Sequence, residues 1–320
     1  MPGVALHCLL ADQALADASS TDCLPFPAAD PECRNAFLHG AIGPDAGYFP
    51  GADPFWSDLA HYVRAGDLAR SVVREAATAT ERAFAWGWVT HLLADAAIHP
   101  LINRACGELV LGDGERPLTA ADDAASHLRV EMGLDLACSA AHPRLRSIRL
   151  HPVFSGAGIR FLGRAYRATY ALPVELRPLL GAHLAAGRLT SSLLALHWLL
   201  PRRAAGERRS ALGAVRRQLP SAPYRASGLA LTQGFLTPVE PAPWLLLRVR
   251  EETAAFGALF RSHLDSCLAG LPDRNLDTGA AEGEEPAYSR AIHAMRVLAA
   301  RARRPQPAPA SPPSPSLVTT

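Results

Sequence analysis

An all-α fold is predicted by three observations. Ala, Leu and Arg dominate the 320 residues, and all three favour helix. Apolar positions recur at three- and four-residue spacing in one segment after another. No strand-like alternation runs long enough to matter, and no repeat is visible. With 49% hydrophobic and only 7% aromatic residues, the chain is long enough to bury a sizeable core, as one large domain or one domain with an appendage.

In order, residues 4–18 predict a helix carrying His7, and a Pro- and Asp-rich loop follows. A short helix is expected at 33–41. The next passage, GPDAGYFPGADPF, holds so much Gly and Pro that a loop without regular structure is expected. A Ser57-Asp58 cap signal predicts a helix from about Trp56, broken near Gly66. Thr80 is expected to cap the central helix, which contains AWGWVTHLLADAAIHP at 85–100. Pro100 pushes His99 out of helical geometry in this reading, and 101–114 becomes a looser passage. A further helix is predicted over 119–141, with acidic residues at its positive end. Helical pieces follow near 156–170, 174–198, 204–218 and 242–270. The predicted organisation is a helical core at 1–142, additional C-terminal helices at 143–300, and a disordered Pro/Ser-rich tail at 301–320.

The formal net charge is +2 and lysine is absent, which gives no strong signal for nucleic acid as a partner. The Arg-rich stretch 202–217 has two readings, a solvated helix face or peripheral contact with anionic lipid, and the first is favoured. Neither a signal-peptide pattern nor an apolar run of about eighteen residues is present, so a cytoplasmic location is expected, with secretion the alternative. Six cysteines without a CxxC pair fit reduced thiols; Cys23 and Cys33 would pair only in an exported chain.

Chemistry concentrates before residue 132. His91, Asp95 and His99 are spaced four and four, which stacks them on one helix face. His127 and Glu131 repeat the spacing, Asp45 sits in the Gly-Pro-Asp turn, and His61 follows Asp58 by three residues. Imidazole and carboxylate suit zinc, and this donor set exceeds the four ligands of one tetrahedral ion. A multinuclear site that generates a hydroxide and clamps phosphoryl oxygens is therefore expected. Each residue also has an ordinary reading. His7 could be a satisfied helix histidine, Asp45 a turn residue, Asp58 a partner orienting His61, and His127 with Glu131 a solvated pair. Asp135 continues the face of Glu131 as a weaker candidate. His39 has no clear role, and His142, His151, His183, His197, His263 and His293 lack ligand spacing.

These stretches resemble the zinc-dependent phospholipase C family, whose all-helical fold is shared with single-strand-specific S1/P1-type nucleases. The resemblance rests on AFLHGAIGPDAGYFPG at 36–51, SDLAHYVRAGDL at 57–68, HLLADAAIHP at 91–100, HLRVE at 127–131 and NLDTG at 275–279. It implies a zinc-dependent hydrolase of phosphodiester bonds that uses a metal-bound hydroxide, with a phospholipid or another phosphodiester as substrate. By the resemblance, Asp45, His61, His91 and Asp95 hold one zinc, with Asp95 bridging, and His99, His127 and Glu131 hold a second. His7 helps hold a third, and Asp45 doubles as the catalytic general base. The alternatives are a nuclease or nucleotidase on the same scaffold and a non-catalytic, zinc-stabilised binding module.

Overall fold

The computed structural model describes residues 3–19, 23–49, 51–156, 158–199, 237–271, 273, 275–279, 293, 296 and 297. Among them there is no strand, and the fold is all-α. The segments 202–217 and 301–320 lie outside the described residues, as does the helix expected at 204–218. The helices are α1 (Val4–Ser19), α2 (Pro31–Gly40), α3 (Pro54–Tyr62), α4 (Ala65–Glu75), α5 (Ala79–Leu111), α6 (Ala124–Ala141), α7 (Arg160–Tyr170), α8 (Leu176–Leu199) and α9 (Pro243–Asp265). Among the described residues no helix is long and apolar enough to cross a membrane, and the six cysteines are unpaired with one another.

The 33-residue α5 is the axis, with α1, α2, α4, α6 and α9 packed against it. It starts two residues earlier than expected. Thr78 is the cap, accepting from Glu81 N at 3.1 Å while the Glu81 carboxylate accepts from Thr78 N at 3.1 Å. This reciprocal box satisfies two otherwise orphaned donors, which Thr80 could not do. The helix also runs straight through Pro100 and ends only at Gly112, in the left-handed region at φ 70°. Proline at 100 removes the N–H that would bond the Ala96 carbonyl, but Ala96 and Pro100 both lie on the exposed face. Water can take that carbonyl, so the helix tolerates the loss. His99 therefore stays in helical register with His91 and Asp95, against the expectation from its proline neighbour.

Two glycines set the distance between α2 and α5. A Cβ at Gly87 would collide with the Phe37 carbonyl, and one at Gly40 with the Phe84 carbonyl. The two backbones thus meet directly, and Trp88, Phe37 and Phe84 fill the space beside them.

Other boundaries moved for local reasons. Asp53, not Ser57-Asp58, caps α3, accepting from Phe55 N at 3.0 Å. The break after α3 falls at Arg64, which takes a left-handed φ of 50°, two residues before Gly66. Tyr170 donates from its hydroxyl to the carbonyls of Leu59 and Val63, so α7 closes the end of α3. The passage expected to lack regular structure contains a 3-10 turn, Pro44–Tyr48. Its Pro supplies the φ that a first helical position needs. α6 begins at Ala124 rather than 119, because Asp123 caps it while Asp122 folds back onto Thr119 N at 2.9 Å. C-terminal helices pack on the core, α9 along α1 and α5, and α8 against α6 and the 3-10 turn.

Candidate metal centre

Every predicted ligand is buried: His7, Asp45, His61, His91, Asp95, His99, His127 and Glu131 are each at most 3% exposed. The fold brings them together in three overlapping groups, His7/His91/Asp95, Asp45/His61/His91 and His99/His127/Glu131. Within each group the candidate ligand atoms lie within 4.8 Å of one another.

The outer nitrogens decide what the inner ones can do. His61 Nδ1 donates to the Ser57 carbonyl at 2.7 Å, and His91 Nδ1 donates to the Ala41 carbonyl at 2.8 Å. A carbonyl only accepts, so each Nδ1 carries a proton, and in the neutral ring each Nε2 presents a lone pair. Those two Nε2 atoms face each other at 3.1 Å. Asp45 Oδ1 lies 3.2 Å from His61 Nε2, and Asp95 Oδ2 lies 3.4 and 3.3 Å from the two Nε2 atoms. Lone pairs and carboxylates converge on one point, which is repulsive unless a cation or protons sit there.

His7, on α1, stacks on His91 with centroids 4.0 Å apart, and its Nε2 lies 3.3 Å from Asp95 Oδ1. Asp95 thus turns one oxygen to His7 and the other to His61 and His91, the arrangement a bridging carboxylate requires. The second group mirrors the first. His99 Nδ1 donates to the Leu276 carbonyl at 2.9 Å, leaving Nε2 facing Glu131 at 3.8 Å. His127 Nε2 donates to Asn103 Oδ1 at 3.0 Å, leaving Nδ1 facing Glu131 at 3.0 Å.

Electrostatics agree. Among the described residues, every ionic partner of Asp45 and Asp95 is an imidazole. Burial would push Asp45 up, but His91 and His61 outweigh it and hold the carboxyl at about 2. Asp95 is held well below its ordinary value in the same way, against burial, by His91 and His99. Burial would lower His91, yet Asp95 and Asp45 raise it. His127 goes up to about 9, again against burial, through Glu131 and Asp277. His7, by contrast, falls to about 4 through burial and then His91.

The orphaned atoms test the fit of a metal. Both oxygens of Asp45, both oxygens of Asp95 and both ring nitrogens of His7 are buried without a hydrogen bond. Buried polar groups are left in that state only at considerable cost. Their nitrogen and oxygen chemistry matches zinc, and divalent ions would neutralise the excess carboxylate charge.

Three expectations are corrected. Asp58 does not orient His61; it accepts from the Tyr48 hydroxyl at 3.1 Å, and the Ser57 carbonyl does the orienting. Asp135 lies outside the ligand groups and accepts from Ala5 N and Leu6 N at 3.0 Å each, capping α1 from α6. Burial pushes its carboxyl up to about 7 despite those two donors. His99, finally, is in helical register. Sequence reasoning assigned no role to Asn103 or Asp277. Asp277 Oδ1 lies 3.4 Å from His127 Nε2. The NLDTG pattern was the readable signal for Asp277; none marked Asn103.

Residues 6–159 match the family model described as zinc dependent phospholipase C. A comparison with curated proteins and one with solved structures each returned no match. The matched segment contains all eight predicted ligands, and the support from 275–279 lies outside it. The all-α fold and the convergent donor groups agree with that match, and over residues 6–159 the chain is similar to the zinc-dependent phospholipase C family.

Proposed function

We propose that the chain is a zinc-dependent phosphodiester hydrolase of phospholipase C type, with phospholipid as its substrate class. The observation that carries this reading is the pair of Nε2 atoms of His61 and His91, 3.1 Å apart between two carboxylates without hydrogen bonds. Asp45, His61, His91 and Asp95 would hold one zinc, His99, His127 and Glu131 a second, and His7 with Asp95 a third. Zinc, when bound, supplies Lewis acidity toward phosphoryl oxygens and makes water acidic near neutral pH.

The chain's own residues do the rest. Asp95 ties the ligand groups together through its two oxygens. Ser57, Ala41, Leu276 and Asn103 fix which nitrogen of each ring faces inward. Asp45 has an oxygen to spare, because only Oδ1 approaches His61. Oδ2 is the atom we assign to accept a proton from the attacking water. Helices α1, α2, α5 and α6 exclude bulk water, which strengthens every charge interaction in the site. The functional unit we propose spans 1–142 together with 275–279.

The near-complete burial of the ligands favours a second reading, in which zinc holds the helices together and no turnover follows. Incubation of zinc-loaded protein with phosphatidylcholine, phosphatidylinositol and phosphatidylethanolamine separates the two: diacylglycerol release supports the enzyme, and zinc-replete protein inert toward all substrates supports the structural role. Single-stranded DNA and simple phosphodiesters complete the panel. Nucleotide release without diacylglycerol would assign the scaffold to nuclease chemistry instead.

A further inference from the structure

The segment Asn275–Gly279 lies far beyond the matched residues 6–159, yet it threads between the ligand-bearing helices. Leu276 N donates to the carbonyl of His61 at 2.9 Å, and its own carbonyl accepts from His99 Nδ1 at 2.9 Å. The Asp277 carbonyl accepts from Asn103 Nδ2 at 2.6 Å. That bond fixes the Asn103 amide so that its Oδ1 meets His127 Nε2. The Asp277 carboxylate places its charge 3.4 Å from the same nitrogen, with Oδ1 buried and not hydrogen-bonded. Asn275 pins the turn from inside, accepting from Asp277 N at 2.8 Å, and Gly279 closes it at φ 74° with its N–H on the Asn275 carbonyl. Asn275, Leu276 and Asp277 are buried.

The bonds of Leu276 and Asp277 act on the outer side of the candidate ligands, directly or through Asn103. If 275–279 were withdrawn, the His99 ring would lose its only acceptor for Nδ1–H among the described contacts, and the Asn103 amide would lose the bond that sets its orientation. Either ring nitrogen could then carry the proton, and the inward lone pair would no longer be assured.

We propose that Asn275–Gly279 is a strap that completes the His99/His127/Glu131 metal group from outside the family core, with Asp277 as the positioning residue for His127. This rests on the reading that the cluster holds zinc. Asn103 takes the Nε2–H of His127, and the negative charge of Asp277, 3.4 Å from that nitrogen, favours the proton there, so that Nδ1 faces Glu131. Leu276 does the same for His99 through its main chain. The strap and the metal are thereby coupled: zinc on the inner nitrogens favours the strap, and the strap favours zinc.

The test uses the full-length chain, stripped with a chelator and titrated with zinc against a competing chromophoric chelator. Asp277→Ala is expected to weaken one class of zinc by about 10–100-fold, the range for outer partners of metal-bound histidines, and to leave the other unchanged. Asp277→Asn, which keeps an acceptor oxygen, recovers part of the loss. Melting of the zinc-free proteins should be nearly the same for wild type and variants, which a merely structural strap would not allow. In case Asp277→Ala fails to fold, hydrogen exchange on the wild type carries the same question: the Leu276 and Gly279 amides are expected to be protected with zinc and to exchange faster after chelation. Unchanged zinc affinity in a folded Asp277→Ala, or strap exchange indifferent to zinc, overturns the proposal while leaving the proposed function intact. A wild-type chain that binds no zinc overturns both.

Discussion

In the group around Asp45, the outer nitrogens of His61 and His91 rest on the carbonyls of Ser57 and Ala41, both inside the matched segment. In the group around Glu131, His99 and His127 rest on Leu276 and on Asn103, and Asn103 is itself held by Asp277. The donor chemistry is the same on both sides, but the support differs in range. Ser57 is one helical turn before His61, and Ala41 is delivered by the glycine contact between α2 and α5. The first group is therefore complete once α1–α5 have packed. The second waits for a contact that closes a loop of well over a hundred residues, whose entropy must be met before the contact is made. Asp95 lies between the two, its Oδ2 3.4 and 3.3 Å from Nε2 of His61 and His91 and 3.9 Å from His99 Nδ1.

The largest effect is expected where the two groups join. Asp95→Asn should empty both, lowering zinc content to less than one per chain and cutting activity by more than about 100-fold, beyond the range of an outer partner; metal analysis and substrate turnover on the same preparation check it. His127→Ala should separate the groups, removing one zinc and sparing the other. A variant that loses all its zinc would show that the two are a single unit. Gly87→Ala attacks the first group from behind, because the added methyl meets the Phe37 carbonyl and drives α2, with Ala41, away from His91. Overpacking of this kind costs about 1–3 kcal/mol, readable by denaturant titration, and the zinc of the second group should be retained.

A smaller effect is expected at Asp135. Replacement by Ala leaves the N–H of Ala5 without its acceptor and that of Leu6 with the Gly3 carbonyl alone at the start of α1, a capping loss of about 0.5–2 kcal/mol. It should loosen His7 while leaving Asp45, His61 and His91 in place, and a zinc titration should show only the site that His7 shares with Asp95 disturbed.

The packing behind the first group also makes a pH prediction. His183 is pushed down to about 3 by burial and then by His39, and His39 to about 4 by burial. Both are neutral in the folded chain, and the unfolded chain takes up protons near pH 6.5. Stability is thus unaffected above about pH 6.5 and is lost as pH falls from there toward 4, at up to about 1.4 kcal/mol per pH unit for each site. Denaturation of zinc-free protein from pH 7 to 4.5 should show this slope, and His183→Gln should flatten it.

Much of the centre was legible because it obeys helical periodicity. His91, Asp95 and His99 share one face of α5, and His127 and Glu131 one face of α6, so spacing alone aligned them. What spacing could not show is support delivered by backbone atoms. Ser57 and Ala41 act through carbonyls, and any residue type has one. Asn103 looks like an ordinary helix residue until the Asp277 carbonyl fixes its amide. Asp135 extends the face of Glu131 by one turn, but the backbone of α1 reaches it first. At the level of elements, Pro100 misled because its effect depends on which side of the helix carries the missing bond. The Thr78–Glu81 box, by contrast, is readable in the sequence, since Thr78 has a Glu three residues on and Thr80 does not.

Zinc content of the purified full-length chain at neutral pH tests the central claim most directly. Two or more zincs per chain, with Asp95→Asn losing them, is the predicted result; a wild-type chain that takes up none after incubation with excess zinc and desalting would contradict it.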